Sequence, residues 1–149
     1  MKLSFILDTG VTKTIIFNLS QHDSISLLNT KKITLRGLGD GEPVTAILSK
    51  KNKMRVQGLL ANNQSIYVIL RDFFDVSSKM GTTIHGVIGY NLLRNFVVKI
   101  NYKTKKIDFY NPDSYTYKKC RKCEVLIIEF YRKKPFVNVA VQLDTVGTK

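Results

Sequence analysis

Apolar and polar residues alternate through most of the chain with the period of two that marks a strand with one buried face. The pattern predicts strands at 3–7, 14–18, 32–37, 44–48, 53–60, 64–69, 97–101, 106–110, 125–130 and 137–142. Turn chemistry falls between them at Gly39-Asp40-Gly41, at 49–52, at Ala61-Asn62-Asn63 and at 102–105. One helix is predicted near Asn91, carrying Leu92, Leu93 and Phe96, and a weaker helical turn at 72–79. The expected fold is therefore mostly β, built from many short strands.

One polar residue breaks the first strand pattern. Asp8 follows Ile6 and Leu7, and Ile15, Ile16 and Phe17 come soon after. Burying a lone carboxylate costs several kcal/mol unless it is paired or shares a proton. Either Asp8 is a turn residue that hydrogen-bonds its own backbone, or its charge is dealt with chemically.

Composition narrows the partners. With 149 residues and 44% hydrophobic content, the chain suits one domain with a real core. No apolar run approaches the ~20 residues that span a bilayer. Nothing at the N-terminus reads as a secretion signal, so the expected location is cytoplasmic if the chain is complete and undetermined if it is a fragment. The net charge of +13 favours acidic partners. Its clusters, at 50–53, 103–106, 118–122 and 132–134, fall on expected turns and read as solvated loops. A nucleic-acid partner is disfavoured, because no Arg-aromatic stacking motif accompanies them. The only cysteines, Cys120 and Cys123, supply two ligands where structural zinc needs four. They read as loop thiols, with a redox pair or shared zinc as the lesser alternatives.

Two short motifs carry chemistry. Asp8-Thr9-Gly10 suits a loop in which Gly10 allows a sharp turn and Thr9 can hydrogen-bond across an interface. Two such loops facing each other would bring two carboxylates together, and like charges that close share one proton. The second motif, Gly86-Val87-Ile88-Gly89, lies far downstream and opens the predicted helix. Taken alone, its glycines read better as helix-start packing residues.

Together these motifs resemble the retropepsin-type aspartic peptidases, more particularly the bacterial retropepsin-like proteins. The run Phe5 to Val11 is similar to their catalytic loop, and His85 to Leu93 to their apolar-apolar-glycine strand and following helix. The runs 97–102 and 106–112 resemble the strands that come next. The glycine-rich stretch from Gly37 to Pro43 stands where the family carries its flap, with 44–48 and 53–60 as the flap hairpin. The resemblance covers residues 3–112 and implies a closed β-barrel lobe of acid-protease type with one short C-terminal helix. It implies Asp8 as the catalytic carboxylate, Thr9 as the interlock between two loops, and Gly10 as a contact to the substrate backbone. Val11, Leu38, Gly39, Asp40, Gly41, Val87, Ile88 and Gly89 are the implied substrate-binding residues. The chemistry takes a peptide substrate and water, with no metal and no cofactor.

One Asp-Thr-Gly per chain implies a homodimer or a partner lobe. Asp144-Thr145-Val146-Gly147 echoes the motif, but Val146 stands in the glycine position, so Asp144 is not expected to be catalytic. Residues 113–149 read as a basic connector and strand arm whose end resembles the strand that opens such a lobe. The chain is thus expected to be one lobe of a two-lobe protein, with 137–142 filling the sheet edge beside residues 3–7. The functional expectation is an aspartic endopeptidase. A catalytically silent peptidase-fold binding module is the alternative.

Overall fold

A computed structural model describes residues 3–17, 19, 25–36, 42–56, 58–70, 75–118 and 120–141. The first strands are short. β1 (Phe5–Leu7) and β2 (Thr14–Ile16) flank the Asp8 loop, and β3 (Lys31–Leu35) follows. Two long strands come next, β4 (Val44–Val56) and β5 (Leu59–Val68). A helical turn, α1 (Val76–Met80), leads to β6 (Gly86–Ile88) and to α2 (Tyr90–Leu93). These six strands form one sheet in the order β1-β6-β2-β5-β4-β3, curled into a half-barrel of retropepsin-like type.

The order places β6 between β1 and β2. It runs parallel to β1, with Phe5 opposite Gly86 and Leu7 opposite Ile88, and antiparallel to β2, with Ile15 opposite Val87. The loop from Asp8 to Lys13 therefore arches over the end of β6. Side-chain alternation then divides the core. Ile6, Val87 and Ile15 stand side by side and pack with Phe17, Leu35, Ala46, Ile69 and Ile84 on one face. Phe5, Leu7 and Ile88 face the other way, against Leu92 and Leu93 of α2.

The β4/β5 hairpin departs from the expected turns. Residues 49–52 and 61–63 are inside strands, and the chain reverses between Val56 and Leu59 instead. The polar residues there make two offset register shifts, one between Ser49 and Asn52 and one between Asn52 and Met54. Lys51 and Asn63 take positive φ at these points. Ser49 and Asn52 are buried and bonded: Ser49 Oγ accepts from Leu28 N–H at 2.9 Å and lies 2.8 Å from Leu28 O, and Asn52 Nδ2 donates to Gln64 O at 3.1 Å. The basic cluster at 50–53 accordingly lies on β4, with its lysines exposed, rather than on a turn.

Beyond α2 the chain forms a separate hairpin of β7 (Val97–Asn101) and β8 (Lys106–Tyr110), in which Phe96 meets Phe109 edge-on. The arm that follows differs from expectation in three ways. Only Glu129–Tyr131 of the run 125–130 and its extension is a strand (β9), and its mate β10 is Lys134–Phe136. Arg132 and Lys133, both at positive φ, make the two-residue turn that fixes this register. Residues 137–141 carry no strand, and 142–149, which include Asp144, lie outside the described residues. Cys120 and Cys123 are joined in a disulfide, not two loop thiols. Val125, Leu126 and Ile127 remain exposed because no sheet edge receives them.

Candidate active site

The Asp8 loop is held by backbone. Asp8 N–H donates to Ile88 O at 3.0 Å, extending the β1–β6 ladder to the carboxylate-bearing residue. On the far side of the arch, Tyr90 N–H donates to Val11 O at 2.8 Å and Asn91 N–H to Thr12 O at 3.1 Å. The first amides of α2, which have no partner within a helix, thus grip the loop from below. The helix starts at Tyr90 with Gly89 as its cap residue, not at Asn91.

Gly89 makes that grip feasible. A Cβ at this position would fall 2.5 Å from Lys13 O and against Val11 O as well. Gly86 is equally constrained, by Ile15 O and the Phe5 ring. Both glycines are packing residues, and the backbone they pack against is that of the Asp8 loop and its flanking strands.

Within the loop, Asp8 Oδ1 accepts the Gly10 N–H at 2.8 Å. This is the Asx-type turn that Asp commonly makes, so the turn reading of Asp8 holds. Asp8 is half-buried, whereas Thr9 and Gly10 are exposed at the lobe surface. Among the described residues Oδ2 has no hydrogen-bond partner.

A cavity of about 780 Å³ begins at Gly10 and Val11. Its apolar floor is the first core face seen from outside: Ile15, Phe17, Ile69 and Val87. Charged walls come from Lys13, from Arg36 and Glu42 on either side of the glycine-rich segment, and from Lys134 of the C-terminal arm. The volume lies within the ~300–1,000 Å³ typical of ligand sites.

Of the expected residues Gly10, Val11 and Val87 line this cavity, whereas Asp8 and Thr9 precede them in the same loop and do not line it. Ile88 points to the opposite core and Gly89 is buried against the loop, so these two support the site from behind. Leu38, Gly39, Asp40 and Gly41 lie outside the described residues. Sequence reasoning missed Lys13 and Lys134. Lys13 had a signal, its place three residues beyond Gly10. Lys134 had none, because only the fold of the arm, in which Phe130 meets Tyr90 at 5.5 Å, brings it there.

Among the described residues no cluster of three or more His, Cys, Asp or Glu side chains could hold a metal ion, and no helix is long and apolar enough to cross a membrane. Comparison with curated proteins and with solved structures finds no match to either. The family model for aspartyl proteases does match, over residues 2–92, which takes in both motifs and every strand of the six-stranded sheet. The chain belongs to the aspartyl protease family, and its lobe is of the retropepsin-like kind.

Proposed function

We propose that the protein is an endopeptidase that cleaves peptide bonds with water activated by two Asp8 carboxylates, one from each subunit of a homodimer. The observation that supports this best is the loop itself. Asp8 is clamped through its backbone to β6, Val11 and Thr12 are clamped to α2, and Thr9 and Gly10 are left exposed where a second copy could meet them.

The chemistry follows from the pairing. Two carboxylates in hydrogen-bond reach hold one proton between them, because both cannot ionise at short range. The ionised member takes a proton from water as it attacks the scissile carbonyl carbon, and the protonated member donates to the carbonyl oxygen. The tetrahedral diol then collapses to the acid as the C–N bond breaks, and the proton taken from water passes to the leaving amine. Proton transfer of this kind contributes typically ~10²–10⁴-fold in rate. Thr9 would tie one loop to the other, and Gly10 would let the substrate backbone approach. The substrate would lie extended between Asp8 and the flap expected of Leu38, Gly39, Asp40 and Gly41, which are outside the described residues, with Val11 and Val87 against its side chains.

Asp8→Asn tests the mechanism. It keeps the Oδ1 acceptor for Gly10 N–H, so circular dichroism and thermal unfolding should match the parent. Cleavage of an unfolded protein at mildly acidic pH should disappear; persistent cleavage would rule the mechanism out.

A second reading, a binding module without turnover, is favoured by the single Asp-Thr-Gly in each chain. A strict monomer in sedimentation, up to the concentrations used for assay, would select it.

A further inference from the structure

We infer that the cleft selects peptides in which an acidic side chain neighbours an apolar one, and that Lys134 of the C-terminal arm is a specificity-determining residue. This rests on the peptidase reading for the position of the substrate, but not for the selection itself. The cavity floor is apolar, with Phe17 and Ile69 each almost fully buried beneath it. Such a floor takes an apolar side chain and rewards it by area removed from water. Among the described residues the charged walls are asymmetric in sign: Lys13, Arg36 and Lys134 against Glu42.

The three cations come from separate parts of the chain. Lys13 belongs to the arch beyond Asp8, Arg36 follows β3, and Lys134 opens β10. Lys13 Nζ also stands 5.2 Å from the Tyr67 ring centroid, a contact that holds a cation without neutralising it. Lys13 and Lys134 are half-buried, so they are screened less by salt than freely solvated lysines. A peptide carboxylate beside an apolar anchor therefore meets excess positive charge, whereas a lysine at the same place meets repulsion.

The arm gains a role from this arrangement. Its two-residue turn at Arg132-Lys133 fixes Lys134 opposite Tyr131, and the Phe130–Tyr90 contact seats the hairpin on the helix that grips the Asp8 loop. The arm is thus a wall of the substrate site.

The test is binding of two fluorescein-labelled octapeptides with a reduced, uncleavable central bond. They are identical except for Glu or Lys next to the central Phe. Fluorescence anisotropy should show the Glu peptide binding about fivefold more tightly, the upper range for one partly exposed ion pair, with the gap shrinking between about 50 and about 500 mM salt. Lys134→Glu should abolish or invert the preference, and Lys134→Gln should reduce it while keeping the side chain's length. Equal affinities, no binding of either peptide, or a preference unchanged in both variants overturns the inference. Failure of the peptidase reading shows elsewhere, as absent cleavage of hydrolysable peptides while the binding preference persists.

Discussion

The amide of Tyr90 donates to the carbonyl of Val11 at 2.8 Å, joining the start of α2 to the loop that carries Asp8. Two residues far apart in sequence thereby set where the carboxylate stands. The contact is possible only because Gly89, the residue before Tyr90, has no side chain.

Gly89→Ala should therefore be severe. Its methyl group would meet two backbone carbonyls that cannot step aside as a flexible side chain can. A loss of about 3 kcal/mol or more is expected, at the upper end of overpacking changes, read as a lower urea midpoint. Gly10→Ala meets only the Asp8 carboxylate, at 3.2 Å, and should cost much less.

Ser49→Ala removes the hydroxyl that serves both backbone groups of Leu28. Leu28 O keeps the Lys50 N–H, so the loss falls on the Leu28 N–H and on the buried Asn52 Oδ1, 3.0 Å from the hydroxyl, and costs about 1–3 kcal/mol. Denaturant unfolding should show that loss, and hydrogen exchange should quicken at Leu28.

Thr14 offers the opposite case. It is buried in β2, and among the described residues its Oγ1 has no hydrogen-bond partner. Thr14→Val keeps the branched shape that a strand favours and should stabilise by about 1 kcal/mol, visible as a higher Tm.

Leu92→Ala should destabilise by about 2–5 kcal/mol, because Leu92 is 0% exposed at the centre of the second core. Since α2 grips the Asp8 loop, peptide cleavage should fall at temperatures well below the shifted Tm.

Reduction of the Cys120–Cys123 bond should leave the Tm of the lobe unchanged. The bond closes a four-residue loop in an exposed arm and crosses no part of the core. A thermal scan with and without dithiothreitol checks this.

Much of the site was legible because its chemistry is local. Asp8-Thr9-Gly10 needs three adjacent residues, and Gly86 and Gly89 record a steric demand that no other residue meets. The β7–β8 hairpin was equally plain, since alternation and a Lys-rich turn agree there. Other parts were hidden by non-local partners. The polar run from Ser49 to Asn52 carries turn chemistry, yet its hydrogen bonds go to Leu28 and Gln64, and these hold it in a strand. Val125 to Ile128 have strand-forming side chains, but strand propensity expresses itself only where a neighbouring strand receives it. Lys134 enters the cleft through a fold of the arm that no periodicity records.

The threading of β6 between β1 and β2 has a consequence during synthesis. Ser4 and His85, 81 residues apart, must find each other before the first strand has any neighbour. Such distant pairings form slowly, and a growing chain emerges from its N-terminus. The ribosome therefore releases Asp8 early but withholds the strand whose Ile88 carbonyl later holds the Asp8 amide, so the loop of a nascent chain waits for its frame.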